Sequence, residues 1–330
     1  WLFCLTGVWN WALRKIELNA KNTIYFSLKD FQNLLANHSE KLGIPSHTLQ
    51  GMLAQAHDSW RRCFKKLARK PKLKGQRRPL NSIPFPDPLK APTTNHIALP
   101  GIGSVRFHKQ SIPDGKIKCG HVIKRASGWY LCLFIDAMPN SIPRLSNGQI
   151  GIDPGFKTLL ALSTGEKVQH PKELRTVERR LAQAQRGHRR KLVARLHERI
   201  KCQRKDRNHQ LSRHLVSHNI LIAFSKDHHR AVAHRFGKSV CDASHGQLRR
   251  HLSYKSLVGG TDYVEVDSRF STKTCSTCGA LTGPTGLAGL RVRHWRCSAC
   301  GTLHDRDINA ARNTLRAGVG TTHEESYACA

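Results

Sequence analysis

The sequence predicts an α/β protein: a sheet of buried strands interleaved with helices, an inserted Cys4 zinc ribbon, and a helical region and small antiparallel β region ahead of them. Three observations carry this. Between residues 149 and 266, short apolar strands alternate with long amphipathic helices, the pattern of an α/β sheet. Cys275-x-x-Cys278 and Cys297-x-x-Cys300 flank residues 279–296, the spacing of a zinc ribbon. Residues 97–136 alternate apolar and polar between turn residues, as half-buried strands do.

In chain order, Trp1-Leu2-Phe3-Cys4-Leu5 runs into Trp9, Ala12 and Leu13 as an amphipathic core helix. It opens without Met inside a helical pattern, which predicts a true start further upstream. The apolar stretch is too short to span a bilayer and no signal-cleavage site follows, so no membrane role is expected. Ser27-Leu28-Lys29-Asp30 reads as a capping box, and Ser46 after Pro45 as another helix start. Leu53, Ala56, Trp60, Phe64 and Leu67 recur at helical spacing and are expected in the core. Residues 80–96 are Pro-rich and read as a linker. Strands are expected at 97–99, 105–107, 117–119 and 129–135, forming a small antiparallel barrel or sheet. Gln149-Ile150-Gly151-Ile152-Asp153 is a buried strand ending in a carboxylate, and 158–163 the next strand. Residues 172–216 are helical, 221–224 a strand, 247–257 a helix, 263–266 a strand and 306–315 a helix. The residues from His323 to Ala330 are expected to be a flexible tail. The expected divisions are 1–80 helical, 81–148 linker and barrel-like β region, 149–270 the first part of the α/β domain, 271–303 the ribbon, and 304–330 the closing helix and tail.

The 330 residues hold 55 Lys+Arg against 22 Asp+Glu, a net charge of +33. A fold this basic repels itself unless a polyanion offsets the charge, and nucleic acid does so through its phosphates. Arg61, Arg62, Lys65, Lys66, Arg69 and Lys70, continued by Lys72, Lys74, Arg77 and Arg78, form a run with no acid in it. A solvated face normally mixes signs, so this run points to phosphate contact. Composition alone favours a ribosomal or other structural RNA-binding protein over a nuclease.

Four of the eleven cysteines sit in the ribbon and the others are scattered singly, which fits a reducing cytoplasm better than a disulfide framework. Each C-x-x-C forms a knuckle presenting two thiolates, and two knuckles complete a tetrahedral structural Zn²⁺ site. The connecting loop is too poor in core residues to fold alone, so metal binding would supply its folding free energy.

Asp153 closes an apolar strand, where α/β sheets place their chemistry, although an ordinary turn aspartate reads the same way. Asp307 opens a helix directly after the ribbon, in Asp305-Arg306-Asp307-Ile308-Asn309-Ala310-Ala311, where a carboxylate also offsets the helix dipole. Phosphodiester hydrolysis by Mg²⁺ ions would draw such carboxylates together and would call for a third acid.

Gly151-Ile152-Asp153-Pro154-Gly155-Phe156-Lys157, the Arg-rich helices around 178–216, Leu252-Ser253-Tyr254-Lys255, and the knuckles followed by Asp-Arg-Asp-x-Asn-Ala-Ala together resemble the TnpB family. These are RNA-guided endonucleases of insertion sequences and the apparent ancestors of type V CRISPR effectors. The resemblance implies an RNase-H-like (RuvC) nuclease domain, with 1–70 similar to a recognition region and 97–136 to a wedge. It also implies a guide RNA, a double-stranded DNA target and a short DNA motif read by the protein, with sequence choice left to base pairing. By the same resemblance Asp153 and Asp307 are the first and third catalytic carboxylates.

At the second the sequence departs. The family's glutamate falls at Ser225 by one alignment and at Ala223 by the other. Glu265, flanked by apolar residues in the next strand, is the candidate for a relocated ligand, and Asp227 a weaker one. Three functions follow: an RNA-guided, Mg²⁺-dependent DNA endonuclease using Asp153, Glu265 and Asp307; a nuclease-dead RNA-guided repressor; and a zinc-containing RNA-binding protein.

Overall fold

The computed structural model describes the chain apart from residues 25–26, 77, 94, 109–110, 139–140, 227–228, 286–288, 290 and 329–330; for 229–235 and 321–328 only the backbone is described. Arg77 and Asp227 therefore lie outside the described residues. The chain divides into two compact units, Trp1–Met138 and Pro139–Ala330.

The first unit opens with four helices: α1 (Leu2–Lys21), α2 (Leu28–Leu34), α3 (Ser39–Leu42) and α4 (Ser46–Phe64). The expected capping box starts α2, with the Asp30 amide donating to Ser27 Oγ and the Ser27 amide to the Asp30 carboxylate at 2.8 Å. Leu5, Leu13, Leu53, Ala56 and Trp60 are buried as their spacing requires. Phe64 and Leu67 are not: α4 stops at Phe64 and Lys66 turns left-handed (φ 57°), so helical spacing no longer fixes direction.

Strands β1 (Ser82–Phe85), β4 (Lys116–Lys124) and β5 (Trp129–Asp136) form one antiparallel sheet in the order β1-β4-β5, and β2 (His96–Leu99) pairs with β3 (Gly103–Arg106) as a separate hairpin. The result is two small sheets in place of a closed barrel. The linker expected at 80–96 contains a strand, β1, whose Pro84 is tolerated because β1 is an edge. Ile83, Phe85 and Ile117 join one core with α1 and α4, so the helical and β regions are buried against each other.

The second unit is built on a five-stranded mixed sheet. Its strands are β6 (Gly148–Pro154), β7 (Thr158–Leu162), β8 (Lys167–Gln169), β9 (Asn219–Lys226) and β10 (Asp262–Asp267), in the order β10-β9-β6-β7-β8. β6, β9 and β10 are parallel; β7 runs antiparallel to both of its neighbours, β6 and β8. Helices α5 (Glu173–Arg186), α6 (Arg190–His218), α7 (His229–Ala243) and α8 (His245–Gly259) connect them. A two-stranded ribbon, β11 (His294–Arg296) and β12 (Leu303–Asp305), leads into the last helix, α9 (Arg306–Ala328). The backbone is thus helical through most of the expected tail.

Side chains alternate across a strand, so the register sorts the sheet into two faces. Ile152 pairs with Phe224, and Phe224 with Glu265. Ile150, Ile152, Ile222 and Phe224 pack with Leu248 and Leu252 of α8 as the main core. The other face carries Gly151, Ala223 and Val266, and α9 lies on it: a Cβ on Gly151 would meet Leu315, and one on Gly318 would meet Ala223 and Val266. Among the described residues no helix is long and apolar enough to cross a membrane.

Candidate functional site

The four predicted cysteines converge. The Sγ atoms of Cys275, Cys278, Cys297 and Cys300 all lie within 4.8 Å of one another. Cys275 and Cys300 are 3.7 Å apart, and Cys278 and Cys297 3.6 Å. A tetrahedron of thiolates at the Zn–S distance has edges of about 3.8 Å, so the donor set fits a zinc ion in size as well as chemistry. The two knuckles share one scheme. The Gly279 amide donates to Cys275 O and the Gly301 amide to Cys297 O, each at 2.9 Å. Both glycines take positive φ, 81° and 73°, which a side chain would strain. The Thr282 hydroxyl donates to Cys297 Sγ at 3.1 Å and lowers that thiol to about 6. His304, buried against Trp295, places Nε2 3.0 Å from Cys275 Sγ, a hydrogen bond that orients the thiolate.

α9 is fastened to the first knuckle. Asn309 accepts from the Ser276 amide (2.8 Å) and donates to Thr274 O (2.8 Å) and Ser271 O (3.3 Å). Asn313 donates to the same two carbonyls, and Arg316 to Ser276 O. Ala310 and Ala311 are fully buried, and their small size lets α9 press onto Gly151. The Asp-x-Asn-Ala-Ala pattern thereby acquires a division of labour: a carboxylate at the helix start, an amide for the ribbon, and two methyl groups for the sheet.

The two acids at the helix start do different things. Asp305 caps α9, accepting from the amides of Asp307 (3.1 Å) and Ile308 (3.2 Å), and pairs with Lys167 at 2.6 Å. Burial pushes its carboxyl up, but Lys167 and those amides outweigh burial and hold it below its ordinary value. Asp307, in the first turn, points its carboxylate at Arg293 (3.2 Å) and Arg306 (3.5 Å).

Asp153 pairs with Ala161, and Ala161 with Lys167, the partner of Asp305. Parity puts Asp153 on the face of Gly151, where α9 lies. The structure therefore brings Asp153 and the first turn of α9 to one end and one face of the sheet.

Glu265 is placed elsewhere. Its register with Phe224 and Ile152 sets it on the α8 face, across the sheet from Asp153. There Arg249 of α8 grips both carboxylate oxygens and the Tyr263 hydroxyl donates at 3.1 Å. The Arg249 hydrogen bonds hold its carboxyl below the usual range. The partner that a charge in an apolar strand requires is thus an arginine, and the relocated-ligand reading of Glu265 gives way for a plain reason: one residue along a strand reverses the face. The position level with Asp153 on β9 is Ser225, fully buried, with no hydrogen-bond partner for Oγ among the described residues. An unpaired buried hydroxyl on the Asp153 face was not legible from composition; register alone finds it.

In the first unit, Arg61, Arg62, Lys65, Lys66 and Arg69 are exposed at the end of α4 and just beyond it. Asp58 pairs with Arg61 at 2.7 Å, and Glu17 with Lys70 at 2.6 Å. Lys70 also lies 5.7 Å from the Trp60 ring centre. The acid-free run is interrupted in space by acids from α1 and the preceding turn of α4.

Fold and thiolate centre together define a class. Residues 139–226 match the family described as "Probable transposase" (OrfB_IS605), and 245–314 the family described as "Cas12f1-like, TNB domain". The matches bear out the TnpB resemblance read from the sequence. A Streptomyces pristinaespiralis protein named "Putative RNA-guided DNA endonuclease" is 37% identical over 213 residues, 60% of this chain and 52% of its own length. An Escherichia coli (strain K12) protein named "Putative RNA-guided DNA endonuclease InsQ" is 25% identical over 304 residues, 83% of this chain and 75% of its own. The chain spans about half the length of the first relative. Among solved structures, a chain of the "Cryo-EM structure of the Cas12f1-sgRNA-target DNA complex" superposes with a TM-score of 0.55 at 14% identity, over 94% of this chain and 80% of that one, a likeness of fold.

Proposed function

We propose that the chain is an RNA-guided DNA endonuclease of the TnpB type, with an RNase-H-like (RuvC-type) domain in its second unit. The observation that supports this most is the meeting of Asp153 and the Asp307 turn at one end of the mixed sheet. Two aspartates are hard oxygen ligands, and they would hold Mg²⁺, which supplies charge stabilisation during phosphodiester hydrolysis. Arg293 and Arg306 pair with the Asp307 carboxylate, and a metal would have to compete with them for it. The four thiolates would hold a structural Zn²⁺. Guide RNA and target double-stranded DNA are the partners, with Arg61, Arg62, Lys65, Lys66 and Arg69 as backbone contacts. Arg61 and Lys70 contribute less, because Asp58 and Glu17 already pair them.

One observation favours a second reading, a guided binder that does not cut. Ser225 offers a neutral hydroxyl where a third carboxylate would stand, and two carboxylates are a thin ligand set for two cations. Plasmid cleavage by the protein purified with its own RNA, with Mg²⁺ and with EDTA, separates the two. Guide-dependent, EDTA-sensitive cutting that is lost in Asp153→Ala and Asp307→Ala establishes the first. Guide-dependent binding without cutting establishes the second, and Ser225→Glu then tests whether the missing ligand alone silences the site.

A further inference from the structure

We propose that the cavity between α6 and α8 is a nucleotide seat, in which Lys255 and Arg213 hold a backbone phosphate and Tyr254 and His209 stack the base. It deepens the nucleic-acid reading above and rests on it. The cavity is about 470 Å³ and is lined by Ile142, His209, Gln210, Arg213, Tyr254, Lys255 and Val258. That volume falls in the range of small-molecule sites and is ample for one nucleotide.

Lys255 carries the argument. It is 9% exposed, yet it makes no ion pair among the described residues. Its ammonium donates to His209 O (2.6 Å) and Ser212 Oγ (2.8 Å), leaving one of three donors without a partner among the described residues. Buried charges are normally paired, and the other charged side chain lining the cavity is again a cation, Arg213; burial, and then Arg213, push the lysine down. The acid one turn away on α6, Asp206, is already engaged by Gln210 at 3.0 Å. A pocket with a buried cation, a second cation and no acid of its own is complete only with an anion in it.

The aromatic wall selects which anion. Tyr254 is half exposed, and His209 stacks on His251 with ring centres 4.0 Å apart. Burial lowers His209 to about 4, so its ring is neutral near pH 7 and presents a π face rather than a third charge. Rings beside cations are how single-stranded nucleic acid is held without sequence preference.

The test uses the full chain and a labelled single strand of about 16 nucleotides, as RNA and as DNA, titrated across salt concentrations. It needs neither guide nor cleavage, so it stands apart from the endonuclease reading. Tyr254→Ala is expected to weaken binding about tenfold with an unchanged salt slope. Arg213→Ala is expected to lower the slope by about one and to weaken binding more than Arg199→Ala, an exposed cation removed from the same helix. Loss on RNA alone assigns the seat to the guide, and loss on DNA alone to the target strand. Equal losses in Arg213→Ala and Arg199→Ala, or unchanged binding in Tyr254→Ala, overturn the proposal.

Discussion

Gly151→Ala should unseat the last helix. A Cβ at Gly151 would stand 2.6 Å from the Leu315 amide nitrogen and 2.8 Å from Leu315 Cβ, with the Ala311 carbonyl oxygen closer still. Ordinary contact begins at 3.4 Å, so the new methyl is about 0.8 Å too close even to the amide. None of these atoms is the end of a flexible side chain. The obstacle is helix backbone and a Cβ fixed to it, so α9 must shift as a body. Overpacking of this kind costs about 1–3 kcal/mol, and the rigid partner argues for the upper end. Urea denaturation measures it, with Gly7→Ala as the opposite case: nothing lies within 4 Å of a Cβ there, and replacing a mid-helix glycine should stabilise by about 0.5–1 kcal/mol. Because α9 carries Asp307, Gly151→Ala should also depress cutting or Mg²⁺ affinity beyond its effect on folding. An unfolding midpoint within error of the parent would refute the packing of α9 on β6, and with it the placement of the first turn of α9 at the Asp153 end of the sheet.

Three further outcomes follow from the same geometry. Glu265→Ala should leave cutting intact and cost only about 0.5–1 kcal/mol, since its pair with Arg249 is partly exposed; loss of cutting equal to that of Asp153→Ala would restore it to the site. Asn309→Ala strips the Ser276 amide of its acceptor and should cost about 1–3 kcal/mol, weakening Co²⁺ uptake by the thiolates, read from the cobalt–thiolate absorbance. Chelation of the ribbon metal should melt residues 271–305 first, seen as early hydrogen exchange there while the β6–β9 core stays protected; uniform exchange would argue against a metal-dependent module. The Asp305–Lys167 pair adds a pH mark. The folded carboxyl sits below its ordinary value, so its contribution is present above the usual carboxylate range and lost only as pH falls through and below it.

Much of the architecture was readable because its signals are local. The Ser27–Asp30 capping box, the alternation in β2 to β5 and the C-x-x-C pairs each depend on neighbours a few residues apart, and each forms as spaced. Failures came where distant chain decides. Phe64 and Leu67 keep helical spacing beyond the helix end. Pro84 disguised an edge strand as linker. Glu265 looked like a buried acid needing a metal because neither Arg249 nor the parity of the parallel register is visible in the sequence between β9 and β10. Lys255 stands in the Leu252-Ser253-Tyr254-Lys255 stretch, but that it meets no acid among the described residues is a fact about space.

β12 ends at Asp305 and α9 begins at Arg306, with no residue between them. The chain there tolerates no change of length. One inserted residue would turn α9 by about 100° and advance it by about 1.5 Å, taking Asn309 off the knuckle and Asp307 off the sheet end together. Insertions and deletions among descendants of this sequence should therefore be absent at 305–306. That junction makes the metal module a gauge block for the carboxylate: the distance it sets at its base is held by the genetic reading frame itself.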